Sequence, residues 1–245
     1  MRVIFLHHAG GEKYAWRRYK ESLSTDIEQV YLELPGRGDR YGERLLYDTD
    51  SIVDDLYNQI IPHLQEPYIM VGKSMGALHS YLLLHRMTQN NQQLPIHVFL
   101  GSRQSPDRTH DSLAISDLPS KEFWEGVKRY GGVPKLLLEN KELLDMYEPI
   151  LRADFASLER YQYVPSPKLE VASTIMVGKE DIVKLEDVTP WSNMFSKDTA
   201  THELNGGHFF MYEQAYTIGK MIEEKFYQYS YDKQSLPHID IKGLM

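Results

Sequence analysis

Short apolar runs recur along the chain, and most of them are separated by longer stretches with helical periodicity. Runs of four or five residues that are rich in Val, Ile, Leu and aromatic residues are typical of buried strands. These runs are residues 3–6, 30–34, 68–71, 97–100 and 174–177, with a weaker one at 201–204. Strands that alternate with helices predict an α/β domain with a mainly parallel central sheet.

Three stretches have the spacing of helices that pack against such a sheet. Residues 50–64 place apolar side chains at intervals of three and four, and Asp48, Asp50 or Ser51 is a suitable N-cap. Residues 75–87 are mostly apolar and follow directly on the third strand. The last helix is predicted from four apolar residues at helical spacing, which are Ala215, Ile218, Ile222 and Phe226.

One long segment interrupts the alternation. Residues 115–163 carry apolar helical faces and no strand pattern, although they lie between two strands of the predicted sheet. A helical insertion over the edge of the sheet is the simplest interpretation, and such insertions often serve as lids. Ordinary crossover helices are the alternative. We expect one domain over residues 1–229, with the lid at about 115–163 and a loose tail over 230–245.

Composition narrows the classes of function. The chain has 245 residues and a net charge of −8, which disfavours nucleic-acid binding because phosphate contacts need a basic face. It has no cysteine, which excludes disulfides and a cysteine nucleophile and fits a reducing cytoplasm. No apolar stretch approaches the roughly 18 residues of a transmembrane helix. The first residues predict a strand rather than a signal peptide.

A G-x-S-x-G pattern lies where the third strand meets the helix that follows it. Gly72, Ser74 and Gly76 form the pattern, and the sharp strand-to-helix turn of a nucleophile elbow needs small residues beside its serine. Such a turn lifts the hydroxyl above the sheet, next to free N–H groups that favour developing negative charge. Ser74 is therefore the candidate nucleophile. The alternative is a glycine-rich turn with a capping serine.

A serine nucleophile needs a base and an acid that orients the base. Where a nucleophile elbow occurs, the acid and then the histidine follow it in the chain. Asp181 comes just after the strand 174–177 and is the candidate acid, with Glu180 and Asp187 as weaker candidates and a solvated surface turn as the alternative. His208 follows the last strand and two glycines, which let the backbone turn, so His208 is the candidate base.

Acyl transfer also needs N–H donors for the oxyanion. The backbone N–H of Met75, the residue after the nucleophile, is one candidate. The second is expected in the loop after the first strand, where the sequence HHAGG at 7–11 permits a tight turn, and we choose Ala9. The adjacent histidines also suggest a metal ion, but neighbouring side chains point apart on an extended chain. We therefore expect no metal and no bound cofactor.

Six short motifs occur in order along nearly the whole chain. They are FLHHAGG near the start, LPGRGDR at 34–40, GKSMGA at 72–77, ISDLP at 115–119, LRADF at 151–155 and GGHFF at 206–210. Together they resemble the stand-alone type II thioesterases, the editing enzymes of nonribosomal peptide and polyketide synthesis. The resemblance implies an α/β-hydrolase fold with a helical lid. It also implies a triad of Ser74, Asp181 and His208, the residues already selected.

The resemblance implies a substrate and a partner as well. Members of this family hydrolyse acyl groups from the phosphopantetheine arm of carrier proteins and so regenerate blocked carriers. The expected partner is therefore an acyl or peptidyl carrier protein, with no nucleic acid and no membrane, and the expected location is the cytoplasm. An esterase or acyl-CoA thioesterase without carrier preference is the nearest alternative. A non-catalytic ligand-binding homologue is a further one.

Lys73 departs from the family pattern, which commonly has histidine before the nucleophile. Three interpretations are open. The cation supports the oxyanion or pairs with an acid such as Asp181, or it is a tolerated replacement whose amine reaches solvent, or it leaves a poor enzyme.

Two other features of the sequence allow either a structural or a binding role. PGRG at 35–38 is predicted as a structural turn, with contact between Arg37 and the pantetheine phosphate as the alternative. The aromatic and Met side chains of the insertion are more typical of a core. The alternative is that some of them line an acyl channel, namely Phe123, Trp124, Met146, Tyr147 and Phe155.

Overall fold

The computed structural model of the chain describes residues 1–108, 114–133 and 135–235. Its strands are β1 (Arg2–Leu6), β2 (Glu28–Leu32), β3 (Tyr68–Lys73), β4 (His97–Gly101), β5 (Ala172–Gly178) and β6 (Thr199–Leu204). Within the described ranges these form one six-stranded sheet in the order β2-β1-β3-β4-β5-β6, and all neighbours are parallel. Each predicted strand is therefore present, and the α/β class is confirmed.

Helices follow most of these strands. They are α1 (Tyr19–Ser22), α2 (Thr49–Ile60), α3 (Met75–Gln89), α4 (Ser120–Lys128), α5 (Lys135–Glu139), α6 (Lys141–Glu159), α7 (Leu185–Val188), α8 (Phe210–Glu213) and α9 (Ala215–Ser235). Short 3-10 turns occur at Lys13–Trp16, Gly38–Arg40, Ile61–His63 and Thr189–Met194. The cap predicted for α2 is present, because Asp48 Oδ1 accepts a hydrogen bond of 2.8 Å from Ser51 N.

The last helix is longer than expected. Helix α9 continues to Ser235, so a loose tail beginning at residue 230 is wrong for residues 230–235. The sequence has neither Gly nor Pro between Gly219 and Pro237, and these are the residues that most strongly stop a helix. Residues 236–245 of the expected tail lie outside the described residues.

Alternate side chains of the central strands enter two separate cores. Ile4 and Leu6 of β1 pack in the cluster that contains the apolar faces of α2 and α3. Val3 and Phe5 pack in the opposite cluster, together with residues of α1 and α9. Both faces of the sheet are therefore covered, as is usual for parallel sheets. The described part of the chain holds no helix with both the length and the hydropathy to cross a bilayer.

The helices α4, α5 and α6 lie between β4 and β5 in the chain, where the insertion was expected. They form a third apolar cluster around Phe123, Trp124, Leu151 and Phe155, and Ala9 from the loop after β1 packs against it. This cluster is separate from the two cores on the sheet. It places helical residues directly over the carboxyl ends of the strands, where the candidate site residues are found.

Candidate active site

Ser74 occupies a strained turn between β3 and α3. Its backbone has φ 55° and ψ −113°, a left-handed conformation that is unusual for a residue with a side chain. A Cβ on Gly72 would lie 2.5 Å from the carbonyl oxygen of Gly76, and a Cβ on Gly76 would lie 2.3 Å from that of Leu6. Both glycines of the motif are therefore required for the close approach of α3 to the sheet.

The three residues predicted as nucleophile, base and acid lie in one hydrogen-bonded chain. His208 Nε2 is 3.1 Å from Ser74 Oγ, and His208 Nδ1 is 2.9 Å from Asp181 Oδ1. They come from the ends of β3, β5 and β6, which meet at one edge of a parallel sheet. The weaker acid candidates lie elsewhere, since Glu180 accepts from Gly206 N and Asp187 accepts from Lys184 N.

Ser102 is part of this arrangement, although sequence reasoning missed it. It directly follows β4, has φ 57°, and donates a hydrogen bond of 3.0 Å from Oγ to the carbonyl oxygen of His208. The nearby Ser102 hydroxyl also lowers the pKa of Asp181. The available signal was its position at the carboxyl end of a central strand, where active-site residues of such sheets collect.

The protonation states suit a general base. Burial lowers the pKa of His208 most, the charge of Lys73 lowers it as well, and the hydrogen bond to Asp181 opposes both, so that the resulting pKa is about 4. Burial raises the pKa of Asp181, but its hydrogen bond and electrostatic interaction with His208, together with the hydrogen bond from Val183 N and the nearby Ser102 hydroxyl, outweigh this, so that the pKa lies below its usual value. At neutral pH the imidazole is therefore neutral and the carboxyl group ionised, as proton abstraction requires.

The candidate oxyanion donors lie beside the serine. Within the described residues, the backbone N–H groups of Met75 and Ala9 have no hydrogen-bond acceptor. The neighbouring histidines have hydrogen-bond partners of their own: His7 Nδ1 is 2.9 Å from the carbonyl oxygen of His8, and His8 Nδ1 is 2.7 Å from the hydroxyl of Tyr212 in α8. No group of three or more metal-binding side chains occurs among the described residues.

A buried ion pair holds the loop that carries Ala9. Asp154 of α6 is fully buried and accepts two hydrogen bonds from Arg37, of 2.6 and 2.8 Å. The same carboxylate accepts a hydrogen bond of 2.7 Å from Gly10 N. Arg37 is therefore buried and paired inside the protein, which favours the predicted structural role of PGRG over contact with a pantetheine phosphate. The interaction joins α6 to the residue next to Ala9.

Lys73 is buried next to the catalytic candidates. Its side chain has no solvent exposure, so the interpretation in which the amine reaches solvent is wrong. Its Nζ lies 4.1 Å from the centre of the Phe209 ring and 5.5 Å from that of Tyr212, and it has no hydrogen-bond partner in the part of the chain that the structure describes. Burial lowers the pKa of Lys73 to about 7, against the raising charge of Asp181. Lys73 and Asp181 do not form a direct salt bridge.

A cavity of about 640 Å³ opens above the serine. Ser74 and His208 form part of its wall, and the remaining wall is largely apolar. Three of the five expected channel residues line it, namely Trp124, Tyr147 and Phe155. Phe123 packs behind them against Phe155, and Met146 is 38% exposed at the surface. The cavity is large enough for an acyl chain, and pockets of this size are common for small ligands.

Known proteins resemble the chain over most of its length. The model of the thioesterase domain family matches residues 1–226. The chain is 32% identical to the linear gramicidin dehydrogenase LgrE of Brevibacillus parabrevis, over 93% of this chain and 88% of LgrE. The type II thioesterase BorB of the borrelidin biosynthetic cluster has a TM-score of 0.83 at 25% identity, over 91% of each chain.

A further solved structure, ClbQ from the colibactin NRPS/PKS pathway, has a TM-score of 0.88 at 24% identity, over 94% of this chain and 98% of ClbQ. That likeness supports the fold. The name of LgrE describes a redox activity of that protein, whereas the family model that matches this chain is a thioesterase domain. The α/β-hydrolase fold and the resemblance given by the sequence motifs are thus confirmed, and the chain belongs to the thioesterase domain family.

Proposed function

We propose that this thioesterase hydrolyses acyl groups from the phosphopantetheine arm of carrier proteins, in the editing of nonribosomal peptide or polyketide synthesis. The observation that carries the proposal is the chain from Ser74 through His208 to Asp181 at the wall of an apolar cavity. The family match and the type II thioesterase BorB support the same substrate class. Such an enzyme would work in the cytoplasm, where carrier proteins are loaded.

In the first step, His208 Nε2 accepts the proton of Ser74 as the serine oxygen attacks the thioester carbonyl carbon. Asp181 accepts from His208 Nδ1–H, which fixes the tautomer and stabilises the imidazolium. The N–H groups of Met75 and Ala9 donate to the oxyanion. When the intermediate collapses, the C–S bond breaks, and the pantetheine thiol leaves with the proton from His208.

In the second step, His208 removes a proton from a water molecule that attacks the acyl-serine ester. The C–O bond to Ser74 then breaks, the serine recovers its proton, and the free acid departs. We infer that the helices over residues 115–163 act as the lid of this site, within a domain that spans residues 1–229. Their cluster packs over Ala9, so their position limits the access of water to the oxyanion.

The proposed substrate class can be tested with one acyl group presented in three ways. It is loaded on a carrier protein, on a pantetheine analogue and on a simple alcohol as an oxygen ester, and kcat/KM is measured for each. We expect the highest value with the carrier protein. Turnover of the oxygen ester alone would instead indicate a general esterase. No turnover and no labelling by a fluorophosphonate probe would indicate a ligand-binding homologue.

The charge of Lys73 is expected to lower the pH at which activity is lost in acid. Because a general base must be neutral, kcat/KM should fall as His208 becomes protonated, with a midpoint near its pKa of about 4. Lys73→Met removes a cation that lowers this pKa, so the midpoint should move to higher pH by up to about one unit. The pH profile of kcat/KM measures this shift.

The exposed Lys197 supplies the control for that profile. Lys197→Met removes the same charge at the surface and should leave the midpoint in place, because exposed charges are screened by solvent. If the midpoint of the fall in kcat/KM at acid pH is unchanged in Lys73→Met, or moves to lower pH, this would contradict the assigned influence of Lys73 on the pKa of His208.

A further inference from the structure

Arg103 is a buried arginine on the wall of the active-site cavity. It directly follows Ser102 after β4, and it lines the cavity together with Ser74 and His208. Its residue exposure is 9%. The indole N–H of Trp191 donates a hydrogen bond of 2.8 Å to the carbonyl oxygen of Arg103, which fixes the backbone at this position.

The guanidinium group of Arg103 has no partner within the described part of the chain. It donates no hydrogen bond, its Nε is buried without an acceptor, and no described carboxylate lies within 4 Å of it. Arg37, the other buried arginine of the described residues, is paired with Asp154 through two hydrogen bonds. Burying a cation without a partner is unfavourable. A ligand in the cavity that carries a hydrogen-bond acceptor would therefore give the guanidinium group of Arg103 the partner that the described residues do not provide.

Arg103 lies close to the reacting groups. Its charge is one of those that lower the pKa of His208. It also interacts electrostatically with Tyr130, whose ring centre is 5.2 Å from that of His208. The neighbouring wall is apolar and includes Trp124, Val127 and Leu151. An acyl chain in this cavity would therefore meet apolar side chains and, beside Ser74 and His208, the buried guanidinium group of Arg103.

We propose that Arg103 is a specificity-determining residue that binds an oxygen acceptor on the acyl group, beyond the thioester carbonyl. The acceptor is a keto or amide carbonyl, or a second carboxylate, since the guanidinium donates to each of these through its planar N–H groups. This inference rests on the proposed thioesterase function. It adds that acyl groups with such an oxygen are better substrates than purely apolar ones of equal length.

Three length-matched thioesters of a pantetheine analogue test the proposal. Butanoyl has no additional acceptor, 3-oxobutanoyl has a neutral one, and malonyl has a charged one. We expect the wild-type protein to prefer at least one acceptor-bearing group over butanoyl. Arg103→Met should lower kcat/KM for that group by about 10- to 100-fold, as expected for loss of a hydrogen bond to a charged donor, and change the butanoyl value by less than about threefold.

Two further variants complete the experiment. Arg103→Lys keeps the positive charge but loses the planar set of N–H donors of the guanidinium group, and it should retain part of the preference for acceptor-bearing substrates. Arg44→Met removes an exposed arginine outside the cavity and should leave all three values in place. Melting temperatures show whether each variant is folded. If Arg103→Met does not fold, the wild-type preference and Arg103→Lys decide the question.

The outcomes separate this proposal from the proposed function. Wild-type hydrolysis of the thioesters without an acceptor preference would overturn the role of Arg103 and leave the thioesterase intact. An equal loss on all three substrates in Arg103→Met would also overturn it, because it would indicate contact with the pantetheine arm or a structural role. Absence of hydrolysis for every thioester, the carrier-bound one included, would instead overturn the proposed function.

Discussion

Replacing Ser74 with alanine is expected to reduce thioester hydrolysis by about ten-thousandfold or more. The variant keeps the base, the acid and the N–H donors but has no oxygen to attack the carbonyl carbon, and losses of this size are typical when a nucleophilic serine is removed. Ser74 Oγ makes its hydrogen bond only to His208 among the described residues. The fold should therefore be retained. Steady-state hydrolysis and labelling by a fluorophosphonate probe measure the effect.

Ser80, on the helix α3 that follows Ser74, provides a matched control. It is fully buried, and its Oγ donates a hydrogen bond of 2.7 Å to the carbonyl oxygen of Gly76. Ser80→Ala removes a hydroxyl of the same size, and its kcat should stay within about threefold of the wild-type value. Undiminished turnover in Ser74→Ala, or probe labelling of that variant, would show that another residue is the nucleophile.

The elements that sequence reasoning found are those with a local signal. The strands follow from short apolar runs, and the elbow follows from glycines placed two residues on either side of a serine. The same glycines leave room for the close contacts at Gly72 and Gly76. Asp181 and His208 follow from their order in the chain after Ser74. The three residues lie together because the carboxyl ends of parallel strands meet at one edge of the sheet.

Lys73 shows where a local signal misleads. A lysine is usually solvent-exposed, and one interpretation of the sequence placed its amine in water. However, β3 lies between β1 and β4, and all six of its residues are buried. A residue of such a strand is buried whatever its chemistry. The burial of Lys73 is thus a property of the strand order, which the residue type does not reveal.

The pair of Arg37 and Asp154 could not be found from spacing. The two residues are 117 positions apart, and each lies in a motif whose local pattern indicates only a turn or a helix. Their contact arises because Asp154 of α6 lies against both the loop after β1, where it accepts from Gly10 N, and the loop after β2, which carries Arg37. A charged residue on the buried face of a helix is a weak signal for such a contact, since Lys, Arg, Asp and Glu are rarely buried without a partner.

Breaking this pair is expected to have the largest effect on stability. Arg37→Met leaves the carboxylate of Asp154 buried without its cation, and removal of one partner from a buried pair destabilises proteins by about 3–5 kcal/mol. The double variant Arg37→Met/Asp154→Leu removes both charges. It should regain most of that loss, because apolar residues replace buried ion pairs well. Denaturant unfolding measures both values.

An exposed pair gives the matched control. Arg86 and Asp54 form a salt bridge in which the side chains are 33% and 56% exposed. Arg86→Met should change the free energy of unfolding by no more than about 1 kcal/mol, since solvent screens exposed ion pairs. A loss in Arg37→Met that is no larger than in Arg86→Met would contradict the energetic importance of the buried pair.

Activity separates the stabilising role of Asp154 from its positioning role. Arg37→Met keeps the acceptor for Gly10 N, whereas the double variant removes it. In folded protein, the double variant should therefore have a kcat about 10- to 100-fold below that of Arg37→Met, with little change in KM, because Ala9 N–H is no longer held where the oxyanion forms. Equal kcat values would mean that Asp154 stabilises the fold without positioning the loop. A lower kcat in the more stable protein is a result that stability alone cannot produce.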